Sequence, residues 1–208
     1  MKKSPPENST IINVCIIPPE KVGMQCVAIS QALESEGTMF VLDGKTKFAH
    51  MTVYMARFTN EKIPDAVETA GQVLKGFERF ACDHTGYFMT EGRYLEASYR
   101  KSPAFMALQE ALIAKASPYR LNPGNPFEEA YFTPYTPEQQ KNARETGYDL
   151  AGNLYRPHVT LARYKEGHVP EEFPAFPAAE LSFTLAKICV YKADNNGAVY
   201  EKLKEFLI

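Results

Sequence analysis

Two short segments of the chain carry residues able to do chemistry together: His50-Met51-Thr52-Val53 and His158-Val159-Thr160-Leu161, about half a chain apart. Each has the order His, apolar, Thr, apolar. In an extended strand alternate side chains share a face. His50 and Thr52 then point one way and Met51 and Val53 the other; the second segment repeats this with His158 and Thr160. Two such strands facing one another offer two imidazoles that titrate near neutrality and two neutral hydroxyl donors. One imidazole can take a proton while the other gives one, and the hydroxyls can hold oxygens on which charge builds. That set suits the cleavage of a phosphodiester. The chain has four histidines, and ordinary residue frequencies put any one of them in this pattern on the order of a few per cent of the time. Two in the same pattern are therefore a signal, where one would not be.

Other residues are weaker candidates. Tyr54 and Tyr164 share the parity of the two histidines, so each is expected to face the same space, where a ring could stack on a base or sugar. Arg156 has the right parity to reach a phosphate, although Pro157 interrupts the strand. Arg163 has the opposite parity and needs a bulge or a strand end to bring it round. Arg57, Arg100 and Lys101 are more remote. His84 and His168 fit no pattern. No His-x-x-x-His, His-Glu-x-x-His or Cys-x-x-Cys spacing suggests a metal site, so no metal and no cofactor is expected.

The pair of segments resembles the two signature motifs of the two-histidine (2H) phosphoesterase superfamily, which includes RNA 2',3'-cyclic phosphodiesterases and 2'-5' RNA ligase-like proteins. Gly147-Tyr148 followed by Tyr155-Arg156-Pro157-His158-Val159-Thr160-Leu161-Ala162-Arg163 is similar to the second motif with its flanks. The resemblance implies His50 and His158 as catalytic groups and Thr52 and Thr160 as hydrogen-bond donors to the phosphate oxygens. It implies an often basic residue at the place of Arg163. It also implies an α+β fold of two pseudo-symmetric lobes, each a curved antiparallel sheet with outer helices, around a central groove. The expected activity is a metal-independent cyclic phosphodiesterase, reversible as a 2'-5' ligase. The substrate would be a small nucleotide, an RNA end or a related sugar phosphate. A rival from another class is a module that binds such a ligand without turning it over.

The elements needed to position these residues are legible in the pattern. Apolar runs predict strands over 11–17, 39–42, 50–58, 93–99, 157–164, 181–184, 187–192 and 199–206. Helical spacing predicts helices over 20–35 and 63–80, and Ser102-Pro103 opens another with a cap and a first-turn proline. Asn195-Asn196-Gly197 is a hairpin turn. Residues 119–156 are rich in proline and aromatics and predict a lid or insertion, with 131–148 as a surface flap bordering the site.

A length of 208 residues suits a single bilobal domain over 10–208, with 1–9 as a disordered tail. The net charge of −2 argues against binding long duplex nucleic acid. Cys15, Cys26, Cys82 and Cys189 sit without Cys-x-x-Cys spacing, as reduced buried thiols do in a cytoplasmic protein. No membrane span is read, and a monomer is expected.

Overall fold

The computed structural model describes residues 7–34, 37–121, 135–171, 176 and 180–208. The chain runs β1 (Ser9–Ile16), α1 (Glu20–Ala32), β2 (Thr38–Val41), β3 (Met51–Thr59), α2 (Ile63–Leu74), β4 (Ala81–Cys82), β5 (His84–Met89), β6 (Tyr94–Tyr99) and α3 (Pro103–Ala116). It continues with α4 (Pro137–Thr146), β7 (His158–Tyr164), β8 (Phe183–Thr184), β9 (Lys187–Ala193) and β10 (Val199–Leu207). The strands form two four-stranded antiparallel sheets, ordered β10-β9-β1-β3 and β2-β7-β6-β5, beside the short pair β4-β8. The fold is α+β with one motif strand in each sheet, as expected.

The two sheets are not, however, the two halves of the sequence. β2 crosses from the first half to pair with β7, and β9 returns from the C-terminal end to pair with β1, with β10 on its other edge. The helices cross likewise. α1 packs behind β7, whereas α2 and α3 pack behind β10 and β3. Val22, Cys26 and Ile29 on α1, Leu33 just after it, and Phe105, Leu108 and Leu112 on α3 join the buried faces of both sheets in one core. A smaller cluster of Ile11, Cys15, Ala193 and Val199 lies on the opposite, inner face of the first sheet, with Phe48, Met55 and Tyr191 against it.

Local chemistry accounts for the helix ends. The Ser102 hydroxyl accepts from the Phe105 amide at the start of α3, leaving Pro103 at a position where no N–H is needed. Thr136 and Gln139 form a reciprocal capping box on α4, and Gly147 ends that helix with a left-handed φ of 85°.

Two boundaries differ from expectation. Residues 1–6 of the expected tail lie outside the described residues, but 7–9 are placed. The Asn8 carbonyl accepts from the Asn60 amide at 2.9 Å, and Ser9 pairs with Thr59 at the end of β1. In the expected lid, 122–134 lie outside the described residues. The described part of 131–148 is docked helix: Ala143 and Tyr148 are buried, and Asn142 donates to the carbonyls of Asp149 and Ala151. Strands β4 and β5 were not expected, because 81–89 alternates only weakly.

No helix among the described residues is long and apolar enough to cross a membrane.

Candidate active site

Both motif strands carry a β-bulge at the same place. Along β1 the partners pass from Val14–Tyr54 to Cys15–Thr52, which leaves Val53 as an extra residue in β3. Along β6 they pass from Leu95–Ala162 to Glu96–Thr160, which leaves Leu161 as an extra residue in β7. A bulge inserts one residue and so reverses the face of everything after it. This overturns the parity expected for two tyrosines. Tyr54 and Tyr164 point into the core, at 1% and 2% exposure; the Tyr54 hydroxyl donates to the Thr146 carbonyl at 2.8 Å. Neither ring is available to a substrate. The same reversal brings Arg163 onto the inner face with His158 and Thr160, which regular alternation forbade.

The bulges leave carbonyls outside the ladder, and the helices behind supply their partners. Gln109 of α3 donates to Val53 O at 3.1 Å, and the Ser30 hydroxyl of α1 donates to Leu161 O. Both side chains are fully buried polar groups. The Gln109 amide also donates to Leu150 O and accepts from the Gly152 amide, while the Ser30 oxygen accepts from the Leu42 amide.

The two imidazoles are held alike. His50 Nδ1 lies 3.1 Å from Phe48 O, and His158 Nδ1 lies 2.7 Å from Arg156 O. A carbonyl oxygen only accepts, so Nδ1 carries the proton in each ring and Nε2 is left for proton transfer. His168 makes the same contact two residues back, so this bond sets the tautomer without by itself marking a site. The two motif histidines are neighbours across the sheets. Burial lowers the His50 pKa from its ordinary value, the carbonyl of Phe48 opposes that, and the His158 charge lowers it further. The ring of His50 also meets Phe48 edge-on, at a centroid distance of 6.1 Å.

Around the imidazoles stand residues that sequence reasoning found and others that it missed. Asn13, fully buried on β1, donates from Nδ2 to Thr52 Oγ1 at 3.0 Å. The Arg163 guanidinium stacks on the Tyr94 ring at 4.6 Å, and its buried Nε has no hydrogen-bond partner. Arg156 is not free for a phosphate: it grips the Glu96 carboxylate through Nη1 at 2.7 Å and Nη2 at 3.4 Å, and lies over the Phe88 ring. Glu96 also reaches His158, its Oε1 lying 3.5 Å from Nε2. Both missed residues left a trace in the sequence. Asn13 is the polar break in an apolar strand, and Glu96 shares the face of Tyr94 and Ser98 in an alternating one. Lys101 is bound to the carbonyls of Gly152 and Asn153, and Arg100 pairs with Asp83. Among the described residues no three His, Cys, Asp or Glu side chains are grouped to hold a metal ion.

This geometry, two matched His-x-Thr strands around one inner face, is set in a chain that matches the 2'-5' RNA ligase superfamily over residues 43–197. The chain belongs to that superfamily, the two-histidine phosphoesterases. Its fold is similar to that of E. coli LigT crystallised with phosphate, at 14% identity and a TM-score of 0.64, over 97% of this chain and 99% of the other. It is similar also to TT0787 of Thermus thermophilus, at 21% identity and a TM-score of 0.62, over 95% and 97% of the two chains. A structure described as a phosphoesterase matches at 13% identity and a TM-score of 0.65, over 96% and 98%. No curated protein matches the sequence significantly.

Proposed function

We propose that the protein is a phosphodiesterase that opens a 2',3'-cyclic or 2'-5' phosphodiester on a nucleotide, RNA end or related sugar phosphate. The observation that carries this reading is the matched pair of imidazoles. Each is fixed through Nδ1 with Nε2 left to exchange a proton, and each has a threonine hydroxyl two residues on. One Nε2 takes a proton from water as the water oxygen bonds to phosphorus. The other gives its proton to the departing ribose oxygen. Thr52, Thr160 and Arg163 hold the non-bridging oxygens as charge builds on them. With an RNA hydroxyl in place of the attacking water, the same two proton transfers would bond that hydroxyl oxygen to phosphorus as the ribose oxygen departs, which is ligation. Two imidazoles supply both proton transfers, so the scheme needs no metal or cofactor. A superfamily relative of the same fold, E. coli LigT, was crystallised with phosphate and with 3'-AMP. That supports a small phosphorylated ligand here, and the net charge of −2 favours it over a long duplex. On this reading the protein acts as a cytoplasmic monomer.

The test is turnover by purified protein, with EDTA present, of 2',3'-cyclic nucleotides, 2'-5' dinucleotides and cyclic sugar phosphates. Hydrolysis of one class in chelator, reduced about 100-fold or more in both His50→Ala and His158→Ala, is the expected result. Binding of these compounds without turnover would replace the enzyme by a binding module. Activity lost in EDTA and restored by a divalent metal would overturn the two-imidazole scheme.

A further inference from the structure

The inner faces of the two sheets are furnished differently. On the first sheet the rings of Phe48 and Tyr191 pack on one another at 5.5 Å and close over the small apolar cluster. On the second sheet Phe40 of β2, Tyr94 of β6 and Phe88 of β5 belong to neither apolar cluster, and among the described residues none of the three packs on another ring. Phe88 is 50% exposed, and Phe40 and Tyr94 are half-buried. Each carries a cation instead: Lys47 over Phe40 at 5.5 Å, Arg163 over Tyr94 at 4.6 Å and Arg156 over Phe88 at 5.2 Å. The register sets these rings in one row. Phe40 and Tyr94 stand on either side of Arg163, and Phe88 stands opposite Glu96, which itself stands opposite Thr160. With strands about 4.8 Å apart, the row from β2 to β5 is about 14 Å wide, broader than one base.

A cation over a ring decides nothing by itself. Lys62 lies over Tyr119 at 6.0 Å, but on the helix side of the molecule, beside Asp65 and Glu68, whose carboxylates repel a phosphate. The three pairs on the second sheet differ because they lie in line with Thr160 and Arg163, which the proposed function sets on the reacting phosphate. Rings alternating with cations match a single nucleotide strand: bases stack on rings or on a guanidinium plane while cations meet the backbone. The three cations have separate duties. Arg163 takes the reacting phosphate. Arg156 is pinned to Glu96, so it offers its plane and not its charge. Lys47 is exposed and has no carboxylate partner among the described residues, which leaves its ammonium for a second phosphate. We propose that the second sheet carries a subsite for the nucleotide chain beyond the reacting phosphate, with Phe40, Tyr94 and Phe88 as stacking surfaces and Lys47 on the next phosphate. This rests on the function proposed above and narrows its substrate to the end of a single-stranded oligonucleotide, in preference to a mononucleotide or a sugar phosphate. The stacking that strand parity assigned to Tyr54 and Tyr164 passes to these three rings.

The experiment measures binding of adenosine 3'-phosphate and of a single-stranded adenylate trinucleotide ending in a 3'-phosphate, neither of which holds a bond that the proposed reaction opens. The trinucleotide should bind about 100-fold tighter, from two further stacked bases at about tenfold each. Phe40→Ala and Phe88→Ala should each weaken trinucleotide binding about tenfold and weaken binding of the mononucleotide much less. Lys47→Gln should lower the slope of log affinity against log salt for the trinucleotide by about 0.7, as one phosphate contact fewer does; at an exposed position, it decides the matter should Phe40→Ala fail to fold. Tyr119→Ala, which removes the ring outside the groove, should change neither affinity. A trinucleotide bound no tighter than the mononucleotide would overturn the proposal. So would wild-type trinucleotide affinity in both Phe40→Ala and Phe88→Ala, or a chain-length advantage abolished by Tyr191→Leu alone, which would lay the chain over the first sheet. Binding is read without turnover, so the two readings fail separately. Tight trinucleotide binding that these variants weaken, in a protein that cleaves nothing, fails the proposed function and keeps the subsite. Cleavage of a cyclic mononucleotide with no gain from a longer chain fails the subsite and keeps the function.

Discussion

Val53 and Leu161 occupy the same place in the two motif strands: each is the extra residue of a β-bulge immediately after His-x-Thr, and each carbonyl is taken by a buried side chain from the helix behind, Gln109 for Val53 and Ser30 for Leu161. The correspondence locates the pseudo-symmetry of the fold in its hydrogen bonding, where side-chain identities do not repeat. The bulges turn the strands so that the residues before them face the site and the tyrosines after them brace the core.

Loss of either helix side chain should therefore be felt at the motif it supports. Gln109→Ala strands Val53 O, Leu150 O and the Gly152 amide in the interior, and each unmet buried group costs about 1–3 kcal/mol. Chemical denaturation should show Q109A destabilised by about 3 kcal/mol or more. S30A, with Leu161 O and the Leu42 amide stranded, should lose less. A Q109A protein as stable as wild type would mean that the Val53 carbonyl finds another donor and that the bulge is not held from α3.

The reversal of parity separates two residues that the sequence places on the wrong sides. Arg163→Ala should lower kcat/KM about 100-fold, as the removal of a donor to developing charge does, with the melting temperature nearly unchanged. Tyr54→Phe should do the converse. It strands the Thr146 carbonyl and should cost about 1 kcal/mol of stability while leaving kcat intact. Steady-state kinetics and thermal melts on the two variants check both halves. A Y54F protein with normal stability and lost turnover would put that hydroxyl back in the site.

What the sequence showed and what it hid divide along a physical line. The histidines and threonines were legible because a strict spacing of two maps directly onto one strand face. The strands β1, β3, β7, β9 and β10 were legible from apolar runs. Arg163, Tyr54 and Tyr164 were misplaced, or placed only conditionally, because a bulge leaves no local mark: neither Val53 nor Leu161 is a glycine or a proline, and the kink is stabilised from α3 and α1, far off in the chain. The exchange of β2 and of β9–β10 between the sheets was hidden for a related reason, since pairing partners are chosen by tertiary packing. Asn13 and Glu96 carried a signal, a polar residue inside an apolar or alternating strand. That signal becomes specific only once the register sets them beside Thr52 and Thr160.

The His50 ring makes a prediction about pH. Its folded pKa is lowered below the ordinary 6.5, first by burial, against the Phe48 carbonyl, and then by the charge of His158. Above pH 6.5 the ring is neutral in both folded and unfolded chains and contributes no pH dependence. As pH falls below 6.5 the unfolded chain takes up the proton first, so stability declines until the folded value is passed and then levels. His50→Gln should flatten that part of the stability curve between neutral and mildly acidic pH, measured by urea denaturation at stepped pH. The same shift keeps the ring unprotonated, and so usable as a base, to lower pH than a free histidine. The acidic limb of kcat/KM should accordingly fall below 6.5, and a limb above 6.5 would contradict it.

The last prediction concerns the hydroxyl hydrogen of Thr52. Asn13 Nδ2 donates to Thr52 Oγ1 at 3.0 Å, which occupies a lone pair and leaves the hydroxyl hydrogen to be given elsewhere. The oxygen of a bound phosphate is the acceptor that the proposed function supplies. Asn13→Ala frees the hydroxyl to rotate, and should lower kcat about tenfold with a smaller change in KM. Asn13→Asp should be worse, because a carboxylate at that place accepts the Thr52 hydrogen and sets a negative charge against the phosphate. Its loss should approach that of Thr52→Ala, about 100-fold. The double variant N13A/T52A decides whether Asn13 works through the threonine. If it does, adding N13A to T52A changes the rate little, since the two act as one unit. Independent, multiplying losses would show that Asn13 acts by a route other than the Thr52 hydroxyl.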